Sequence, residues 1–257
     1  MIAVDLPREA LLVSGRDAGS YLHSQLSNDI ASLAVGESRP SLVLEPTGRL
    51  VALVRVTRRA ETEYLVDLAP GFLDVLAARL AKFKIRVLAD IVAIPVHCVA
   101  LRDVDPNVVS SLARSAPAGS TLAVGAWWCD GTAIDLLATE PIAVERSGGP
   151  SDLEARRIEA VWPEMGSEIV PGETLPAAPG VVRVAVSFSK GCYPGQELVE
   201  RMDSRGSSAP RTLRVVDAPD GVRAGDALTS LGGTEVGTFT SVLHGRALAY
   251  VKRDVEV

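Results

Sequence analysis

The sequence predicts an α+β protein that ends in a small β-barrel, and three observations carry that reading. Between residues 50 and 137, short apolar runs alternate with apolar positions at helical spacing, in a pattern that partly recurs. Residues 213–251 hold short apolar runs separated by glycine-rich turns, the spacing of a small barrel or sandwich. A hydrophobic fraction of 47% and a mean hydropathy of +0.22 over 257 residues indicate a packed core.

Ser14-Gly15-Arg16-Asp17 has the spacing of a capping box and predicts a helix start. Ala18, Tyr21, Leu22, Gln25, Leu26 and Ile30 then form an amphipathic face, and Asn28-Asp29 falls near the helix end. Residues 50–57 and 64–68 read as strands joined around 58–61. Phe72, Val75, Leu76, Leu80 and Phe83 follow at helical spacing, and 85–88 reads as a short strand. The second unit is expected as a strand over 94–101, a helix over 106–114, and strands over 121–128 and 132–137.

A turn-rich break at 147–151 precedes a helix over 152–161. Pro163, Pro171, Pro176 and Pro179 then punctuate a long irregular stretch ending at Gly180, of the kind that is functional or wraps another domain. Residues 181–188 read as a strand, and 197–205 as a short helix or a further strand. Strands are expected over 213–216, 227–231, 235–241 and 247–251. The domain reading is an α+β region over 1–209, made of two interleaved subdomains with a break near 147–151, and a barrel over 210–257.

The formal charge of −6 supplies no general drive toward nucleic acid, and Lys82-Lys84-Arg86 and Arg201-Arg205-Arg211 read equally as local basic patches or as solvated faces. Cys98, Cys129 and Cys192 are too few and too scattered for a disulfide framework, and no CxxC pair occurs. His23, His97 and His244 lack metal-ligand spacing, so no metal site is expected. Residues 1–9 contain no apolar signal core, and the longest apolar run, 91–101, is too short to span a bilayer. The expected setting is soluble and cytoplasmic, without membrane or direct nucleic-acid partners.

Cys98 lies in an apolar run and Cys129 follows Trp127-Trp128, so both read as core filler. Cys192 differs. Lys190-Gly191-Cys192-Tyr193-Pro194-Gly195-Gln196-Glu197 gathers a cation, a thiol, a phenol, a carboxamide and a carboxylate between two regular elements. The glycines permit tight turning, and the neighbouring ammonium would favour the thiolate. No pattern ties a histidine base to Cys192, which disfavours a thiol hydrolase or redox enzyme.

That octapeptide, with Arg201 after it, resembles the signature of the YgfZ-type folate-binding proteins, relatives of the glycine cleavage T-protein associated with iron–sulphur cluster assembly or repair and tRNA modification. The segment from Ser14 through Asn28-Asp29-Ile30 is similar too, as are Pro46-Thr47-Gly48-Arg49-Leu50, Lys82-Phe83-Lys84-Ile85-Arg86, Arg157-Ile158-Glu159-Ala160 and Ala247-Leu248-Ala249-Tyr250-Val251-Lys252. The resemblance implies glycine cleavage T-protein-like folate-binding domains in a ring, a C-terminal β-barrel, and a central channel for tetrahydrofolate or a derivative. It implies that Asn28, Asp29, Lys190, Gly191, Tyr193, Gly195, Gln196, Glu197 and Arg201 serve that ligand, with Cys192 the functional thiol. The implied partners are a reduced folate and iron–sulphur client or assembly proteins.

Three departures qualify what is implied. Gly48-Arg49-Leu50-Val51-Ala52-Leu53 has no carboxylate where aminomethyltransferases carry an acidic pair, which disfavours glycine cleavage. Ala177-Ala178 stands where relatives place a glutamate, and Val161 where related sequences often have glycine. The expected function is therefore a folate-binding accessory factor. The alternative is a one-carbon transferase in which Glu197 or Asp29 replaces the missing acid.

Overall fold

The computed structural model describes residues 1–105, 121–128, 133–204, 209–230 and 232–255. The expected helix over 106–114 and Cys129 lie outside them. Three antiparallel sheets form the frame. The five-stranded sheet runs β3 (Ser38–Leu44), β4 (Leu50–Ala60), β5 (Glu63–Leu68), β2 (Glu9–Ser14) and β6 (Asp90–Ile94). A four-stranded sheet runs β1 (Ile2–Asp5), β7 (His97–Arg102), β9 (Ile134–Ala138) and β8 (Thr121–Gly125). The C-terminal sheet runs β10 (Arg211–Asp217), β13 (Arg246–Lys252), β12 (Glu235–Leu243) and β11 (Ala227–Thr229).

Helices α1 (Ala18–Gln25) and α2 (Leu73–Lys82) bury Tyr21, Leu22, Leu76 and Leu80 in one core with the inward residues of β4 and β5. The opposite face of that sheet meets the four-stranded sheet through Ala10, Leu65, Val124, Leu137 and Cys98. Cys98 is core filler, and burial pushes its thiol far above the usual range. Helix α3 (Pro150–Glu159) packs Ile158 against Leu213 and Leu248, joining the C-terminal sheet to the body.

A chain of buried charges crosses the two N-terminal sheets. Arg55 of β4 forks onto Asp67 of β5 with both distances 3.0 Å, and reaches Asp135 of β9 at 2.6 Å. Asp135 also accepts from Arg102 of β7 at 3.0 Å, and Asp67 from Arg8 at 3.0 Å. Burial by itself would lower Arg55, but the two carboxylates outweigh it and hold the guanidinium firmly charged.

Four expectations are corrected. Ser14 does not open a capping box, because it is the last residue of β2 and pairs with Glu63 and Asp90. Asp17 stands at the helix start instead, and its side chain accepts the Leu88 N–H at 2.9 Å. Residues 85–88 are not a strand: Arg86 has φ +55°, and Ile85 and Leu88 are exposed. The run over 94–101 divides at Pro95-Val96 into β6 and β7, which belong to different sheets. Residues 181–188 form a short helix, α4 (Val182–Ala185), followed by an irregular segment.

Candidate functional site

The Cys192 loop leads into helix α5 (Gln196–Ser204), which settles the expected helix-or-strand choice for 197–205. Two glycines place it. A Cβ on Gly195, which has φ +84°, would lie 2.5 Å from the Glu45 carbonyl oxygen and 2.9 Å from Gly48 Cα. Gly48 itself has φ +87° in the turn between β3 and β4. The loop backbone is therefore seated on that turn at a separation only glycine allows. Gly191 is exposed and its Cβ position meets nothing, so its role is not close packing.

Lys190 does not turn its ammonium to the thiol. Its Nζ donates to the His23 carbonyl and, at 2.6 Å, to the Leu26 carbonyl, capping the C-terminus of α1. It also stands 5.1 Å from the centre of the Tyr193 ring. Burial lowers Lys190 to about 8, opposed by Asp29. His23 lies 3.3 Å from Asp29, and burial and Lys190 lower it further than Asp29 can offset. Asp29 is itself lowered, because hydrogen bonds from Ser32 and the charges of His23 and Arg39 outweigh burial. The structure thus brings Asp29, His23 and Lys190 together, a grouping the sequence did not disclose.

Tyr193 is buried, and burial raises its phenol to about 12. Its backbone N–H donates to the Gln196 side-chain oxygen at 3.1 Å, so Gln196 closes the turn. Cys192, Glu197 and Arg201 are exposed. Asn28 is buried, and its amide donates to the Pro40 and Val184 carbonyls at 2.7 and 2.9 Å. Ser27 donates to the Ala185 carbonyl at 2.6 Å. These side chains occupy carbonyls that a strand over 181–188 would have needed, which is the physical reason for α4.

A second centre lies elsewhere, in two adjoining cavities of about 190 and 880 Å3. Trp127, Trp128 and Trp162 line both, and they are all the tryptophans of a chain with 4% aromatics. Trp127 and Trp162 meet edge to face with centroids 6.1 Å apart. The smaller cavity adds Asp5, Arg8, Leu53, Glu154, Arg157 and Glu164; the larger adds Pro40, Arg156, Val161, Val181 and Val184. Asn28 therefore staples two segments of the larger cavity's wall from behind. Neither cavity is lined by Lys190, Cys192, Gln196 or Glu197, so the loop and the cavities are separate places.

Trp162 is aimed by the end of α3. Val161 has φ +51°, Val161 N–H bonds the Ile158 carbonyl at 3.0 Å, and Trp162 N–H bonds the Arg157 carbonyl at 3.0 Å. That is the helix-ending motif in which glycine normally takes the left-handed position. Arg157 in turn donates to Glu154, Glu168, Ser241 and the Trp162 carbonyl. Ala177 lines a different pocket, the Ala178 carbonyl accepts from Leu213 N–H, and the next two residues, Pro179 and Gly180, line the larger tryptophan cavity. Sequence reading missed the cavity because it noted Trp127-Trp128 only as neighbours of Cys129; the scarcity of aromatics, with all three tryptophans in two short segments, was the available signal.

Comparisons with known proteins agree with this architecture. Residues 211–257 match the family described as CAF17, C-terminal beta-barrel domain. The chain is 28% identical over 217 residues to the tRNA-modifying protein YgfZ of Edwardsiella ictaluri, and 27% identical over 203 residues to an uncharacterised protein of Haemophilus influenzae. Each alignment covers 76% of this chain, but only 65% and 66% of those relatives' lengths, just under two thirds. The glycine cleavage system aminomethyltransferase T of Bartonella henselae superposes with a TM-score of 0.77 and 20% identity, over 99% of this chain and 79% of that one. The fold is thus that of the glycine cleavage T-protein class, with a C-terminal β-sheet domain. Taken together, the barrel match, the YgfZ relative and the shared fold make the chain similar to YgfZ-type proteins.

Proposed function

We propose that this protein is a folate-binding accessory factor for iron–sulphur cluster assembly or repair, acting as a soluble cytoplasmic protein. The observation that carries the folate half is the cavity walled by Trp127, Trp128 and Trp162. Its larger part falls within the roughly 300–1,000 Å3 of small-molecule sites. The chemistry of the wall fits a pterin. Trp127 Nε1, Trp128 Nε1 and Arg8 Nη2 are buried within that wall, so what it offers a pterin is chiefly apolar and aromatic surface, from Trp162, Leu53 and Met165. Arg156 stands at the larger cavity, paired with Asp103 at 2.6 Å, and the carboxylates of a glutamyl tail would share its guanidinium. A bound reduced folate would supply a reducing, one-carbon-carrying pterin.

Cys192 is the working thiol in this reading, exposed on a loop whose backbone is fixed at Gly195 and Lys190. One thiolate suits iron–sulphur chemistry but cannot hold a cluster, so the remaining ligands come from a client or assembly protein. The transferase alternative needs Asp29 or Glu197 as its acid, and neither lines either of the two tryptophan-walled cavities. The domain division assigns residues 1–209 to ligand binding and 210–257 to the barrel. The test of the thiol role is complementation: Cys192→Ala folds normally yet fails to restore iron–sulphur enzyme activity in a deletion strain. Full restoration by that variant refutes the role.

A further inference from the structure

Strand β6 is the edge of the five-stranded sheet, and its outer side is open. Its inner side pairs with β2, from Asp90–Ser14 to Ile94–Ala10, and residues 90–94 make no backbone hydrogen bond beyond that ladder among the described residues. Unpaired N–H and C=O groups on an edge template another strand, so edges are commonly guarded by charge or proline. After Asp90, β6 holds only Ile91, Val92, Ala93 and Ile94, and Val92 is 54% exposed. The segment before it presents Ile85 at 73% and Leu88 at 58% exposure, the densest run of exposed large apolar side chains among the described residues. That run is held in place. Leu88 N–H donates to the Asp17 carboxylate at 2.9 Å, its carbonyl accepts from Asp17 N–H at 3.1 Å, and Arg86 turns the chain with φ +55°. Cations stand beside it: Lys82 and Arg86 are exposed, Lys84 is half-buried, and none of the three forms an ion pair among the described residues. In a chain of formal charge −6 this is a local reversal of sign.

We propose that the β6 edge is the docking site for an extended acidic segment of a partner protein, which adds to the sheet as a further strand and sets its carboxylates against Lys84 and Arg86. The open main-chain groups supply the hydrogen bonds of strand addition, and Ile85, Leu88 and Val92 give the added strand an apolar footing. The unpaired cations set the charge and the orientation of the partner. A second copy of this chain answers poorly. An antiparallel β6–β6 pair centred on Val92 puts Ile94 opposite Asp90, with Pro95 and Val96 beyond it toward the cations, and none of those three carries a carboxylate. Single-stranded RNA also fits less well, since its bases stack on aromatic faces and Phe83 already lies under the Arg79 guanidinium at 4.2 Å. The edge shares no residue with the tryptophan-walled cavities, so the proposal stands independently of the folate reading.

The test is titration calorimetry with synthetic peptides: one alternating valine with glutamate, one with lysine in place of each glutamate, and the acidic one with alternate backbone amides N-methylated. Amide hydrogen exchange over residues 90–94 is followed in parallel. The acidic peptide binds wild type saturably, slows exchange there, and loses affinity as salt rises. The lysine and N-methylated peptides bind at least about tenfold more weakly. Lys84→Glu/Arg86→Glu weakens the acidic peptide by at least about tenfold, and Ile85→Ser/Leu88→Ser by at least about fivefold. Because the cations form no ion pair and the apolar side chains face solvent, both variants keep the wild-type unfolding midpoint. No binding of the acidic peptide, equal binding of the lysine peptide, or wild-type affinity in Lys84→Glu/Arg86→Glu overturns the proposal. So does a dimer that protects residues 90–94 without peptide, which assigns the edge to a second copy. A uridine oligonucleotide that binds more tightly than the acidic peptide overturns it in favour of RNA.

Discussion

A side chain at residue 195 would have to pass through the Glu45 carbonyl, whereas residue 191 faces open space. The two glycines of one motif therefore answer differently to the same substitution. Gly195→Ala lowers stability by at least about 2 kcal/mol, since it adds a backbone clash to a left-handed φ. Gly191→Ala stays within about 0.5 kcal/mol, as measured by chemical denaturation. Lys190 makes a second residue-scale prediction. Its folded value of about 8 lies below the ordinary 10.5, so between those pH values the unfolded chain binds more protons at this position. Its contribution to stability therefore rises with pH across that window. The denaturation midpoint of wild type gains more on going from pH 8 toward 10.5 than that of Lys190→Met; parallel gains contradict the assignment. The sequence made the motif's glycines and thiol legible. It hid the destination of the Lys190 ammonium, because the carbonyls of His23 and Leu26 are set by where α1 ends.

Among the elements, the end of α3 concentrates strain beside the cavity. A β-branched residue in the left-handed region costs about 1–2 kcal/mol, and Val161 occupies it to deliver Trp162 to the wall. Val161→Gly raises stability by about 1 kcal/mol with the helix end intact, read from the denaturation midpoint. The same position shows why element reading succeeds and fails. Helix periodicity found α2 and α3 to within two residues at each end, because each buries one stripe. It failed over 181–188, an apolar run read as a strand, where Ser27 and Asn28 take backbone carbonyls. The run over 94–101 hid a change of sheet at Pro95-Val96, since strands buried against different layers can be equally apolar. β1 and β2 were not foreseen, and neither was β3, whose Pro40 sits at a sheet edge where proline is tolerated.

On the scale of the whole molecule, Glu168 ties the parts together. Its buried carboxylate accepts from Ser241 of β12 at 2.7 Å and from Arg157 at 3.1 Å, while Tyr250 of β13 donates to its backbone carbonyl at 2.6 Å. The C-terminal sheet thus braces the arginine that lines the smaller cavity. Fold class was legible from periodicity and from the resemblance, since both depend on local pattern. The cavity was not, because Trp127-Trp128 and Trp162 converge only through tertiary packing. Nor does the loop border it: the Cys192 thiol and the tryptophan cavity are different places. The most direct measurement is calorimetric titration of folinic acid into wild type, Cys192→Ala and Trp162→Ala. Saturable binding by wild type and Cys192→Ala with equal affinity, lost in Trp162→Ala, is the predicted result. No binding by wild type, or unchanged binding by Trp162→Ala, contradicts a folate site in this cavity.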